Sequence, residues 1–325
     1  MYPYPLLSFP DGSSIGFYEI CMLVGVIAAM VLFSLLAGRR KMPAKMQNLI
    51  LVGIVVSVVV GYLTAVLFQA VYNALETGEF VIDETTGATF YGGLIGGAAC
   101  LILIYFVGSR ILFGSNAEGV RRFPTLANIA AACVPLAHGF GRIGCLLAGC
   151  CHGGETDAWY GIPMDIGVSD GVYVKVVPLQ LFEAIFLFAL AAFIIARIWK
   201  GKGLEAPVYL IGYGVWRFVI EFFRTDDRGA SLIPGLSPSQ VTAIFMILVG
   251  AAIYVGYFVI CSRKGRGFFA DPAQAAKGGS AAGDPSLKNG SAAEVPAPQS
   301  GAFADADSKE ESAAAQESRT DKSDR

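Results

Sequence analysis

A single all-α bundle of seven transmembrane helices is what this sequence predicts, and three observations predict it. Of 325 residues, 54% are hydrophobic and 15% charged, a balance far from that of a globular chain. The apolar residues gather into seven runs, each near the ~20 residues that cross a hydrocarbon core. Basic and acidic loops alternate between the runs, and Lys and Arg accumulate on the cytoplasmic side of a membrane. The expectation is a multi-pass protein with its amino terminus outside and its carboxyl terminus cytoplasmic. Residues 1–268 form the bundle, followed by a disordered cytoplasmic tail over 269–325.

The first run covers about 16–37; without a basic segment before it or a small-residue cleavage pattern after it, it reads as a retained span and not a signal peptide. Arg39, Arg40, Lys41 and Lys45 separate it from the second run, about 49–72. The loop 73–89 carries Glu76, Glu79, Asp83 and Glu84 and no basic residue. After the third run, about 90–108, come Arg110, Arg121 and Arg122, then the fourth run, about 124–148. The long loop 149–177 has Lys175 as its one basic residue. The fifth and sixth runs, about 178–197 and 204–223, are separated by Lys200 and Lys202; the seventh, about 238–261, is followed by Arg263, Lys264 and Arg266. From Asp271 onward six basic residues face ten acidic ones, so the acidity lies in the tail and the body before it is about +2. That tail is too rich in Ala, Ser, Gly, Pro and charge to offset its chain entropy by burial. A nearly neutral body gives no reason to expect nucleic acid, and no internal repeat suggests a transporter built from inverted halves.

Ionisable side chains at membrane depth cost several kcal/mol unless they face partners or water, so they point to function. Three spans contain them. In "HGFGRIGCLLAGCCHGG" (138–154), His138, Arg142 and Cys145 stand at i, i+4, i+7, on one helix face. In "YGVWRFVIEFFR", Arg217, Glu221 and Arg224 repeat that spacing, with Tyr213 one turn earlier. Glu221 can pair with either arginine, leaving the other for an anion. In "VPLQLFEA", Gln180 and Glu183 lie near the outer end of the fifth span, where Glu183 either joins the site or fixes a helix contact. "YGGLIGG" (91–97) sets Gly92/Gly96 and Gly93/Gly97 at the small-xxx-small spacing of close helix packing, although glycine also exposes backbone N–H groups to a headgroup. A guanidinium fork suits phosphate, and the phosphate most available at that depth is a phospholipid's.

Seven cysteines are too few and too scattered for a secreted disulfide framework. Cys21, Cys100, Cys133 and Cys261 lie in apolar runs as small hydrophobes. "GCCHGG" admits three readings: a structural pair, metal ligation by Cys145, Cys150, Cys151 and His152, or a reactive thiol. Read as lacking the usual C-x2–4-C spacing, the segment argues against a metal, and none is expected.

At "GRIG" (141–144) and "GVWRFVIEFFR" (214–224) the chain resembles the bacterial prolipoprotein diacylglyceryl transferase family. Tyr18, the "GGLIGG" of the third span, "PLQLFEA" and "LSPSQ" (236–240) extend the resemblance over about 15–261. It implies transfer of the diacylglyceryl group of phosphatidylglycerol to the lipobox cysteine of a preprolipoprotein signal peptide, in the bacterial inner membrane, with no cofactor. Arg142 and Arg217 would bind the phosphate and stabilise the leaving group. Glu221 would orient Arg217, and Arg224 would support the same wall. Tyr18, Gln180 and Glu183 would line the lipid site with Gly92, Gly93, Gly141 and Gly144.

The departures fall in the motif itself. Cys145, Ala148 and Cys150 stand where the family commonly has two asparagines and a glutamate, and Tyr91 stands where a histidine precedes the glycine pair. A thiol must lose its proton to attack, and a phenol is a far weaker base than an imidazole near neutral pH. Tyr91, or His138 or His152 as the chain's two histidines, is the candidate base. The competing readings are a membrane thiol oxidoreductase using Cys145, Cys150 and Cys151, and a phospholipid-binding relative without chemistry.

Overall fold

The computed structural model describes residues 6–8, 14–83, 86–165, 172–224, 233 and 235–264. The chain divides into two units, Met1–Gly279 and Ser280–Arg325; every described residue belongs to the first, and the tail lies outside them. Seven helices long and apolar enough to span a bilayer are present among the described residues: α1 (Phe17–Arg39), α2 (Ala44–Thr77), α3 (Phe90–Phe113), α4 (Asn116–Ala148), α5 (Leu179–Trp199), α6 (Glu205–Ile220, continued by a 3-10 turn over Glu221–Phe223) and α7 (Pro238–Lys264). The chain is an all-α multi-pass membrane protein. Its surface agrees: Leu35 is 67% exposed, Leu75 82% and Ile111 76%, as expected of side chains whose solvent is lipid.

Several helices run beyond the apolar stretches that predict them. α4 starts at Asn116 instead of about 124 because its first two turns, though polar, are well terminated. The Ser115 hydroxyl accepts from Ala117 N at 3.1 Å, and Glu118 sits by the positive end of the helix dipole, paired with Arg121 and Arg122. Two short antiparallel ribbons also stand outside the expected all-helical plan: β1 (Leu7–Ser8) with β2 (Ser14–Ile15), and β3 (Ile162–Asp165) with β4 (Tyr173–Val176).

α4 is the hub, touching α1, α3, α5 and α6, while α2 pairs with α3 and α6 with α7. The large buried side chains concentrate at one end. Phe33 and Leu36 of α1, Met46 and Ile50 of α2, Tyr105 of α3, Ile129 of α4 and Ile194 of α5 form a dry core there, and the Tyr105 hydroxyl donates to Gly119 O at 2.7 Å. This is the end flanked by Arg39, Arg40, Lys200 and Lys202. The opposite end, formed by the starts of α1, α3, α5 and α7 and the finishes of α2, α4 and α6, holds Gln180, Glu183, Arg217, Glu221, Ser239 and Gln240, while Ser109 and Glu205 are buried near the first end.

Glycines let helices approach closely at two seams. A Cβ on Gly92 would come within 2.6 Å of Phe68 Cβ and 2.8 Å of Thr64 O, and one on Gly93 within 3.3 Å of Gly61 O. These two therefore serve α2–α3 packing. Gly141 and Gly144 face α1, where a Cβ would meet Met22 Sδ at 3.2 Å and Tyr18 Cδ2 at 3.1 Å. Gly92→Ala is expected to destabilise the bundle by about 1–3 kcal/mol through overpacking, read as a lower melting midpoint in detergent. Gly38→Ala, with nothing within 4 Å of the added carbon, should leave the midpoint unchanged or raise it.

Candidate active site

Glu183 organises the polar end. It sits one turn into α5, 1% exposed, and side chains from two neighbouring helices converge on it. From α4, Arg142 Nε lies 2.9 Å from Oε2 and His138 Nε2 4.0 Å from Oε1. From α6, the Tyr213 hydroxyl donates to Oε1 at 3.0 Å, and Arg217 Nη1 lies 3.8 Å from Oε2. His138 also packs edge-on against the Tyr213 ring. The i, i+4 spacing that put His138 and Arg142 on one face of α4 thus aims both at one carboxylate.

A second carboxylate completes the pair. Glu221 Oε2 lies 2.9 Å from Arg217 Nη2, and that nitrogen donates to Ser239 Oγ at 2.8 Å. The start of α7 holds this arrangement through a capping box legible in "LSPSQ". Ser237 N donates to Gln240 Oε1 at 2.9 Å and Gln240 N to Ser237 Oγ at 3.2 Å, with Pro238 at the first helical position. The Ser237 hydroxyl then donates to Glu221 Oε1 at 2.9 Å. Ser237 and Ser239 thus join the candidate site, and as uncharged hydroxyls within "LSPSQ" they carry no charge signal in the sequence.

The two arginines are oriented, not saturated. Arg217 Nη1 is buried without a hydrogen-bond partner, and no contact to Arg142 Nη1 or Nη2 is seen among the described residues. Donors held in a low-dielectric wall with capacity to spare are what an anion requires.

The expected common face of Arg217, Glu221 and Arg224 holds for the first two residues alone. α6 tightens into the 3-10 turn at Glu221 and Arg224 turns extended, at φ −90° and ψ 143°, so its guanidinium leaves that face and lies beside Cys151. Tyr91 begins α3 with its hydroxyl 3.4 Å from Thr242 Oγ1, one turn along α7 from Ser239. Tyr18 lies within electrostatic reach of Arg142 and of all three clustered cysteines.

That cluster is the second feature of this end. α4 stops at Gly149, which adopts the left-handed conformation at φ 74°, and Cys151 follows with φ 64°, a geometry costing a non-glycine residue roughly 1–2 kcal/mol. The reversal carries Cys150 and Cys151 back toward Cys145, and the three Sγ atoms all lie within 4.8 Å of one another. Four residues separate Cys145 from Cys150, so spacing does not exclude a metal after all. His152 is not part of this group; its Nδ1 lies 2.8 Å from the Gly153 carbonyl oxygen. Hydrogen bonds from Cys145 and Cys150, with the Arg224 guanidinium beside it, hold the Cys151 thiol below the ordinary thiol range.

The segment after the cysteines is pinned at both ends. Gly153 N donates to Val177 O at 2.8 Å and Thr156 N to Lys175 O at 2.8 Å, adding to the β3–β4 ribbon. Gln180, 1% exposed, donates through Nε2 to Cys150 O, and its Oε1 is buried without a partner. One residue of α5 thereby fixes the loop while Glu183, one turn on, fixes the arginines.

Residues 6–256 match the prolipoprotein diacylglyceryl transferase family. The chain belongs to that family. It is 30% identical over 253 residues to the phosphatidylglycerol–prolipoprotein diacylglyceryl transferase of Clostridium tetani, covering 77% of this chain and 96% of the relative. To phosphatidylglycerol–prolipoprotein diacylglyceryl transferase 2 of Clostridium perfringens it is 32% identical over 251 residues, 75% and 91% of the two chains. The transferase of a Dehalococcoides mccartyi strain matches at 30% over 267 residues, 79% and 94%. In this member of the prolipoprotein diacylglyceryl transferase family, Arg142 of α4 and Arg217 of α6 stand around one buried glutamate, Glu183.

Removing one partner from a buried charge pair costs about 3–5 kcal/mol because it strands the other charge. Glu183→Gln is expected to show a loss of that size in detergent unfolding. Glu118→Gln, which breaks pairs with Arg121 and Arg122 near the surface, should stay within about 1 kcal/mol of the native protein.

Proposed function

We propose that this protein transfers the diacylglyceryl group of phosphatidylglycerol to the lipobox cysteine of preprolipoprotein signal peptides, at the outer face of a bacterial inner membrane. The observation that carries the proposal is the pair Arg142 and Arg217, brought from α4 and α6 onto the shared carboxylate of Glu183 with guanidinium donors left over. The relatives' names supply the reaction; family membership and the arginine geometry support carrying it over.

In this reading the phospholipid phosphate binds between Arg142 and Arg217. Glu183 holds Arg142, and Glu221 with Ser239 holds Arg217, so both forks are oriented before substrate arrives. Attack of the acceptor sulfur on the glyceryl carbon bearing the phosphate ester forms the thioether, and the C–O bond breaks toward the phosphate. The extra charge on the departing glycerol phosphate develops where the guanidinium groups already point, so they bind the transition state more strongly than the diester. Tyr18 and the α1–α4 seam give the acyl chains a wall open to lipid. In this reading the amino terminus, the cysteine loop and the arginine site face the outer side, where exported lipoproteins present their cysteine, and the alternation of basic and acidic loops supports that orientation.

The test is transfer of label from phosphatidylglycerol to a lipobox peptide by the purified protein. Arg142→Ala and Arg217→Ala should each lower transfer by about 100- to 1,000-fold. Arg217→Lys, which keeps charge but not the fork, should fall between native and alanine rates. Phosphatidylglycerol bound by the native protein without any labelled peptide would overturn the proposal.

A further inference from the structure

We propose that Cys145, Cys150 and Cys151 bind one zinc ion whose open fourth position takes the acceptor thiol. The inference rests on the transfer reading above and supplies what that reading lacks, a means of deprotonating the acceptor. At the third-span position discussed above this chain has Tyr91, whose hydroxyl meets Thr242. His138 is engaged with Glu183 and Tyr213.

Three features of the cluster suit zinc. A tetrahedral ion with Zn–S bonds of about 2.3 Å holds its sulfurs about 3.8 Å apart; three sulfurs already within 4.8 Å close on such an ion with movements under about 1 Å. The cluster offers three protein ligands, which is the count of catalytic zinc sites that leave a position for water or substrate. Cys150 is exposed and the other two are partly so, which leaves the missing fourth side accessible. The surroundings suit a cation with three thiolates. The site lies at the carboxyl end of α4, with Cys145 in its last turn and Cys150 and Cys151 just beyond, where backbone carbonyls carry partial negative charge. Arg224 beside Cys151, and Arg142 within electrostatic reach of Cys145 and Cys151, balance the excess negative charge of three thiolates over one divalent ion.

The step balances without an oxidant or reductant. The acceptor thiol gives its proton to water as its sulfur displaces water from zinc. A sulfur lone pair then forms the C–S bond, the C–O bond breaks, and its electron pair leaves on the phosphate oxygen held by Arg142 and Arg217. The thioether product has no thiolate charge and yields its position on zinc to water.

The experiment uses the full chain in detergent, reduced, freed of metal and titrated with cobalt(II), a spectroscopic stand-in for zinc. One equivalent is expected to bring up intense thiolate-to-cobalt charge-transfer absorption that zinc abolishes. The triple variant Cys145→Ser, Cys150→Ser, Cys151→Ser should lose it while still binding phosphatidylglycerol, and Cys100→Ser should keep it. A lipobox peptide should shift the visible ligand-field bands, and its Cys→Ser analogue should not. Metal removal should lower transfer by about 100-fold or more, restored by zinc. Absence of the charge-transfer band in reduced protein, its persistence in the triple variant, bands blind to the peptide, or full transfer by metal-free protein would each overturn the proposal. Cobalt and peptide binding need no turnover. A protein that shows both but transfers nothing therefore retains the metal site and sinks only the transfer reading.

Discussion

A buried carboxylate at 1% exposure, Glu183, is the constraint on which the polar half of this bundle depends. An ion so placed costs several kcal/mol unless its lone pairs are met, and here Arg142, Arg217 and Tyr213 meet them from α4 and α6. The same contacts solve the converse problem, since two guanidinium groups at membrane depth need counter-charge. With Glu221 included, two arginines face two glutamates and the cluster is neutral as a whole. It is locally polarised, however, because the carboxylates occupy one side of each guanidinium and leave the other donors free. Stability and the proposed anion affinity therefore have the same origin, and neither arginine can be reoriented without disturbing the helices whose side chains meet at Glu183.

The division of the bundle into a dry end and a polar end follows from what each end must pack. Where Phe33, Leu36, Met46, Ile50 and Ile129 meet, large side chains fill space by interdigitation. At the polar end the helices approach through glycine instead: Gly141 and Gly144 bring α4 onto Tyr18 and Met22 of α1, and Gly92 and Gly93 bring α3 onto α2. Close backbone approach there keeps the seams tight without apolar bulk, so charged side chains can occupy the interior between them. A small-residue seam and a buried polar cluster are thus complementary parts of one design.

The sequence carried most of this, and the failures have physical causes. Seven spans were legible because hydrocarbon imposes long uninterrupted apolar runs. The true start of α4 was not, because its first turns are stabilised by Ser115 and Glu118 and not by hydrophobicity. His138 and Arg142 were correctly set on one face since α4 is regular through them. Arg224 was misplaced because helical periodicity was extended through a 3-10 turn that local spacing does not announce. Ser237 and Ser239 were missed although Ser-Pro-Ser-Gln spells a capping box; a hydroxyl's second role, bridging to Glu221 or receiving Arg217, is visible only once α6 and α7 are side by side. The meeting of Cys145 with Cys150 and Cys151 depends on the left-handed pair Gly149 and Cys151, a reversal no periodicity encodes.

That reversal gives the position of the cysteines its sense. Arg142 and Cys145 are three residues apart on α4, a rise of about 4.5 Å at 1.5 Å per residue. The proposed displacement needs an attacking sulfur and a departing phosphate oxygen on opposite sides of one carbon, with the reacting atoms about 3–3.5 Å apart before bond formation. Sulfur-to-oxygen separations then fall between about 4 and 5 Å, close to one helical turn. A straight helix cannot supply three thiols at such a spot, because i+5 and i+6 point elsewhere on its circumference. Ending α4 at Gly149 and folding the chain back does supply them, while Gln180 of α5 ties the Cys150 carbonyl in place. The helix that presents Arg142, the proposed phosphate ligand, thereby also leads, one turn further, into the cysteines proposed to present the nucleophile, and α5 braces both through Glu183 and Gln180.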